Sequence, residues 1–323
     1  MLQHFATMNY LGATLILLAG LCWANEDVLQ DTILNHLNEG LVERRAVVNA
    51  LNSADILNAA KSFAGSLGQK AQLATPQSKA FEDSCLGSSG IGIRPIFPSN
   101  PINPVYPWQK IVGKREDKTL ANRDIVFVLD DSGSIPSDQF EKAKKAINIL
   151  IESFCPSKFG NSVTKAGTKQ ISVVLFDSTV TTEVDFSESS KGLGYLQDKI
   201  MSIKHRKGST ATGSALSYVK NHVLGKGSSR LNNAEVSTDV IVITDGQCNI
   251  NCRILGTEAN AIRKMGHGVN LFAMGVANAR ACELEIITGK GSTMAYGLGD
   301  FRNFDRFATA VKEIAQENAS KCA

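Results

Sequence analysis

Ile125-Val126-Phe127-Val128-Leu129 runs straight into Asp130-Asp131-Ser132-Gly133-Ser134, and Ile135-Pro136-Ser137 follows. Five apolar residues rich in branched side chains, with no polar alternation, predict a strand buried on both faces. Asp, Ser and Gly are the residues that close tight turns, so the polar run predicts a loop at the strand's carboxyl end. Proline's fixed φ suits the first turn of a helix, and Phe140, Ala143, Ile147, Leu150 and Phe154 then recur at steps of three and four. Strand, loop and helix in that order form the opening unit of a parallel sheet covered by helices.

The alternation continues outward from this unit. Residues 171–176 (ISVVLF) read as a second strand, and 180–186 return after a tight Asp177-Ser178 turn, too short for a crossover and therefore antiparallel. Helices are predicted over 193–203 and 213–224, then a strand over 240–244 (VIVIT), a helix over 258–265 and a strand over 269–276. A short helix at 282–287, a weak strand at 294–297 and a helix at 304–318 finish the series. The expected fold, over residues 122–319, is a doubly wound α/β domain: a mostly parallel sheet with one antiparallel edge strand. Such sheets bind ligands beyond the carboxyl ends of their strands, where strand order reverses.

Upstream, residues 1–24 have the layout of a secretory signal: a polar opening, an apolar run from Leu11 to Leu21, and a small residue, Ala24, before the expected cut. The apolar run is about half the roughly 20 residues a membrane span needs, and no later segment reaches that length, so no span is expected. Residues 25–83 carry apolar side chains at helical spacing, including Leu29, Ile33, Leu37 and Leu41, then Ile56, Leu57, Ala60, Phe63 and Leu67. Their heptad pattern is too brief for a coiled coil, which favours a small helical pro-region or spacer over an oligomerisation stalk. Residues 84–121 turn to Gly, Ser and Pro, with Pro95, Pro98, Pro101, Pro104 and Pro107 enforcing extended backbone, and read as a linker that also holds the dibasic pair Lys114-Arg115.

With 323 residues, 43% of them hydrophobic and 20% charged, the chain has room for one full domain and something smaller. A net charge of +3 with scattered basic residues lacks the basic stripe of nucleic-acid binders, so no nucleic-acid partner is expected. Loss of Cys22 with the signal leaves six cysteines, Cys85, Cys155, Cys248, Cys252, Cys282 and Cys322, which suits disulfides in a secreted chain better than a zinc site lacking paired C-x-x-C spacing. Helices of a doubly wound fold run back to the end opposite the ligand site. That places Cys155 and Cys322 far from Cys248, Cys252 and Cys282. The expected pairs are Cys248 or Cys252 with Cys282, and Cys85 with Cys155 or Cys322. Asn318-Ala319-Ser320 is a glycosylation sequon in a chain that enters the secretory pathway.

Three loops at strand ends carry the chemistry. Asp130, Ser132 and Ser134 alternate after the first strand, Ser209-Thr210-Ala211-Thr212 lies between two helices, and Asp245 closes the VIVIT strand. All offer hard oxygen and none offers sulfur or imidazole, a ligand set for Mg²⁺ or Mn²⁺. Asp130-x-Ser132-x-Ser134, the Thr of Ser209-Thr210, and Asp245 at a strand end together resemble the metal-ion-dependent adhesion site of von Willebrand factor A domains, over roughly residues 122–319. The resemblance implies that Ser132 and Ser134 coordinate the ion directly, and Asp130, Thr210 and Asp245 directly or through water. It leaves Thr212 as a helix cap, and it implies that an acidic side chain of an extracellular protein completes the ion's shell. The expected function is secreted, non-enzymatic, metal-dependent binding. A structural matrix protein whose domain mediates self-association is the alternative. A third reading, an aspartic-type hydrolase using Asp131-Ser132-Gly133-Ser134, needs two such carboxylates, and the chain has one copy of the motif. His205 and His267 have no spaced partners and are expected on the surface.

Overall fold

The computed structural model describes residues 53–67, 79, 82, 85, 122–153, 159–160, 167–277, 279–289, 292 and 294–317, all within one compact unit, Leu51–Ala323. The expected signal segment, the helical spacing before residue 53, the proline-rich stretch with Lys114-Arg115, Phe154, Cys155, Cys322 and the sequon at Asn318 lie outside the described residues.

Six strands form one sheet: β1 Asn122–Asp130, β2 Lys169–Phe176, β3 Val180–Val184, β4 Val236–Thr244, β5 Val269–Gly275 and β6 Ala295–Gly297. Their order is β3-β2-β1-β4-β5-β6, parallel throughout except for β3, which runs antiparallel to β2 at one edge. Seven helices are described: α1 Ser53–Ser66, α2 Ser137–Glu152, α3 Leu193–Ser202, α4 Thr212–Tyr218, α5 Leu255–Arg263, α6 Ala281–Thr288 and α7 Phe301–Glu317. A π turn, Val219–Val223, extends α4, and 3₁₀ turns precede α3 and α5.

β1 shows why its sequence is apolar without alternation. Successive side chains point to opposite faces, and both faces are covered. Ile125, Phe127 and Leu129 join one core with α1, α2, α3 and α7, while Val126 and Val128 join the other with α4, α5 and α6. At the amino-terminal end of β1 the buried Asp124 pairs with Arg230 (Nε to Oδ1, 2.8 Å), whose guanidinium also donates to Thr168 Oγ1 and to the Arg123 carbonyl. The opposite end is left to the loops. Strand order reverses between β1 and β4, so the crevice beyond Asp130 and Thr244 is the expected ligand position.

Two expectations change. The helix around Ile56–Leu67 is no free spacer. Ile56, Ala60, Phe63 and Leu67 are buried in the first core, the Phe63 ring meets those of Phe272, Tyr296 and Phe307 at 5.2, 6.0 and 5.3 Å, and Arg123 donates to the Leu67 carbonyl. The cysteine pairing also differs: Cys85 bonds Cys282, and Cys248 bonds Cys252. Cys85 is buried in the second core beside α6, which brings it to Cys282, and Cys248 and Cys252 are close enough in one loop (Cα atoms 5.5 Å apart) to close on each other.

Candidate metal site

Asp130 ends β1 with its side chain wholly buried. One carboxylate oxygen accepts from the Ser132 amide (2.9 Å) and the other from Thr244 Oγ1 (2.6 Å). Burial pushes its carboxyl up to about 7, against the pull of the Thr244 and Ser132 hydrogen bonds, and the nearby Asp245 charge adds to the rise. Asp245 follows β4. Burial raises its carboxyl as well, and Ser134 Oγ, donating to it at 3.0 Å, a backbone hydrogen bond and the attraction of His205 oppose that. Ser132 Oγ and Ser134 Oγ lie 2.9 Å apart, so Ser132, Ser134 and Asp245 form one connected chain of oxygens.

Gly246 connects this chain to the third loop. A Cβ placed on it would stand 3.1 Å from Thr210 Oγ1 and 3.6 Å from Asp130 Oδ2, so the threonine hydroxyl and the buried carboxylate flank the same small residue. All five candidates, Asp130, Ser132, Ser134, Thr210 and Asp245, therefore sit together beyond β1 and β4, with Ser134 exposed and the other four buried. Among the described residues no basic side chain forms an ion pair with Asp130 or Asp245, and no group of three or more His, Cys, Asp or Glu side chains gathers anywhere. Two buried carboxylates and three hydroxyls, with no ion-pair partner for either acid among the described residues, are a donor set that fits a hard divalent ion.

Side chains that sequence spacing did not flag hold the loops in place. Asp131, the second acid of the motif, is fully buried and engaged by Arg206. Its carboxylate accepts from the Arg206 amide (3.0 and 3.1 Å) and from Arg206 Nε (2.7 Å). The Arg206 guanidinium also reaches Asp177, 3.4 Å away. His205 is not on the surface: its ring stacks on Phe140 at 4.5 Å and Nε2 lies 3.3 Å from the Ser132 carbonyl. The Gly133 amide donates to the Gly208 carbonyl at 2.7 Å, which joins the first loop to the second. Thr212 is no cap; Ala211 takes that position, and Thr212 Oγ1 donates to the buried Glu283 (3.0 Å), whose other oxygen accepts from the Cys248 amide (2.9 Å). Burial raises the Glu283 carboxyl, opposed by those two donors.

Residues 124–310 match the family model of the von Willebrand factor type A domain. The chain belongs to that family. Relatives of this A domain include the human collagen alpha-5(VI) chain, 28% identical over 66% of this chain and 7% of that one. Mouse matrilin-1 is 30% identical over 52% of this chain and 31% of its own length. The chain thus spans well under two thirds of these relatives. Among solved structures the A domain resembles proximal thread matrix protein 1 from the mussel byssus, with a TM-score of 0.50 and 22% identity over 60% of this chain and 48% of that one. The same mussel protein with a zinc-occupied MIDAS motif gives a TM-score of 0.50 at 24% identity, over 61% of this chain and 46% of that one.

Proposed function

We propose that this chain is a secreted, non-enzymatic binding protein whose A domain recognises an acidic group on an extracellular protein through a divalent cation. Asp130, Ser132, Ser134, Thr210 and Asp245 would hold the ion. The observation that carries this is the meeting of five oxygen-bearing side chains from three loops at the strand-order reversal, where among the described residues neither acid has an ion-pair partner and His205 lends Asp245 only a through-space attraction. A bound Mg²⁺ or Mn²⁺ supplies an electrophilic centre that prefers oxygen and keeps exchangeable positions. Asp130 contributes charge from within, fixed by Thr244 and the Ser132 amide, and Ser134 marks the open side from which a partner approaches. Zinc, the ion of the mussel structure, belongs in the same trial. Matrix relatives and the engagement of Asp131 by Arg206 both weigh against aspartic hydrolysis, because a protease dyad needs that carboxylate in the cleft. The domain plan offered with this reading is a signal over 1–24, a helical segment over 25–83, a linker over 84–121 and the A domain over 122–319.

Titration of the mature chain with Mg²⁺, Mn²⁺ and Zn²⁺ by calorimetry tests the site, followed by capture of matrix proteins in Mg²⁺ and again in EDTA. Expected are ion uptake that Asp130→Ala abolishes and partner capture that chelation releases. Capture that survives both treatments overturns the metal bridge. The second reading, assembly of the chain with itself, is favoured by the collagen and matrilin relatives and predicts that sedimentation changes with divalent ions when no other protein is present.

A further inference from the structure

Thr210 is a buried residue in a loop, and neither of its backbone groups bonds to a strand or helix. Its amide donates to Asn249 Oδ1 at 3.0 Å, and its carbonyl accepts from the amides of Asn249 (2.9 Å) and Ile250 (3.3 Å). Both partners lie inside the ring that the Cys248–Cys252 disulfide closes. The ring is itself anchored at three further points. The Cys248 amide donates to Glu283, Asn251 Nδ2 donates to Ser214 Oγ at 3.0 Å, and the Asn251 carbonyl abuts Gly213, where a Cβ would stand 2.6 Å from it. Asn251 takes a left-handed backbone (φ 56°), a conformation an unconstrained chain seldom holds at a non-glycine residue.

The two disulfides differ in what they can do. A bridge restricts the unfolded chain more as the loop it closes lengthens. Cys85–Cys282 spans 197 residues and Cys248–Cys252 spans 4, so the second contributes far less as a staple of the fold and acts mainly on the shape of its own loop. That loop begins three residues after Asp245 and grips Thr210, so it borders two of the five site residues at once.

We infer that the Cys248–Cys252 ring, acting through Asn249, is the positioning element of the site: it fixes the Thr210 hydroxyl in reach of Asp130 and Asp245. This rests on the metal reading above. Asn249 is a positioning residue that touches no ion; its side-chain oxygen serves the Thr210 amide. Asn249 is exposed, so removing its side chain opens no cavity, and what it leaves behind is an unpaired Thr210 amide.

The experiment titrates Mn²⁺ by calorimetry into the full mature chain and into Asn249→Ala, Asn249→Asp and the double variant Cys248→Ser/Cys252→Ser, and follows exchange of the Thr210 amide by NMR in the same chains held in chelator, free of the paramagnetic ion. Groups that orient a metal ligand typically set affinity by about 10- to 100-fold, and a loss of that size is expected in Asn249→Ala and in the double variant. The thermal midpoint of Asn249→Ala in chelator should fall by no more than about 6 °C, the effect of one unpaired amide, which leaves the chain folded at the titration temperature. Asn249→Asp, which keeps the acceptor oxygen, should restore both affinity and the slow exchange of the Thr210 amide. If the parent binds Mn²⁺ and Asn249→Ala binds it within about threefold, the positioning role is wrong while the metal site stands. If the parent takes up no divalent ion, the metal reading fails and the inference goes with it. Should the double variant fail to fold, Asn249→Ala decides alone. Loss of affinity that Asn249→Asp does not restore also overturns the role assigned to Asn249.

Discussion

At the scale of single residues, Asp130 is an acid placed where acids are hardest to keep charged. Its side chain is inaccessible to solvent, it has two hydrogen-bond donors, and among the described residues it has no cation. An uncompensated buried charge is destabilising, so the residue that serves the proposed ion weakens the ion-free fold. The sign of its pH dependence follows from the raised carboxyl. With a folded value of about 7 against an ordinary 3.8, the group's contribution to stability is fully present below about pH 4 and is lost as pH rises through 7. Asp130→Asn keeps the shape and removes the charge. In EDTA at pH 8 its thermal midpoint is expected to exceed that of the parent by upwards of about 3 °C, since each kcal/mol moves a domain of this size by roughly 2–4 °C. The gap should shrink towards nothing at pH 4, and added Mg²⁺ should raise the parent and leave the variant unmoved. A gap of equal size at both pH values, or a variant less stable than the chelated parent at pH 8, would show that Asp130 is not the strained acid its burial implies.

At the scale of elements, α1 separates what the sequence told from what it could not tell. Ile56, Ala60, Phe63 and Leu67 step by four, three and four, and that spacing identified both a helix and its apolar face. What covers that face was not legible, because periodicity reports which side must be hidden and carries no information about distant partners. The covering residues are Phe272 in β5, Tyr296 in β6 and Phe307 in α7, more than two hundred positions away. The central strands β1, β2, β4 and β5 read well for the opposite reason: each holds a local run apolar on both faces, so burial needed no knowledge of the partner. Phe63→Ala is expected to lower unfolding free energy by about 3–5 kcal/mol, as large aromatic truncations in packed cores do. Leu57→Ala, on the exposed side of the same helix, should change it by less than about 0.5 kcal/mol. Urea melts of the two variants measure both. Equal and small effects would mean that the helix does not dock as described.

At the scale of the molecule, the covalent path explains why residues ahead of the A domain behave as part of it. Cys85–Cys282 encloses β1 to β5, leaving α1 outside on one side and β6 and α7 outside on the other. Those excluded elements pack on one another through Phe63, Tyr296 and Phe307, so the loop is closed once by sulfur and again by aromatic rings. Four of the five candidate oxygens were legible because they follow the ends of apolar strands, and Thr210 only through the resemblance to the family's motif. The parts that hold them, Asp131 with Arg206, His205 on Phe140, and Asn249 on Thr210, were not, because each joins residues 39 to 75 positions apart. The Cys85–Cys282 pairing was illegible for the same reason, its partners being 197 residues apart, while Cys248–Cys252, only 4 apart, was missed because the expected pairs set one or the other against Cys282; the two bridges can be told apart by energy. Closing a loop of 197 residues is worth about 5 kcal/mol in the chain-entropy account, and closing one of 4 about 2 kcal/mol. Cys85→Ala/Cys282→Ala also removes buried sulfur contacts between the leading segment and α6, leaving the Arg280 bond to the residue-85 carbonyl as their remaining polar strut. Under non-reducing conditions that variant is expected to lose at least about 2 kcal/mol more unfolding free energy than Cys248→Ala/Cys252→Ala. The reverse order would show that the short ring, and not the long one, secures the fold, and would remove the contrast on which its role at Thr210 depends.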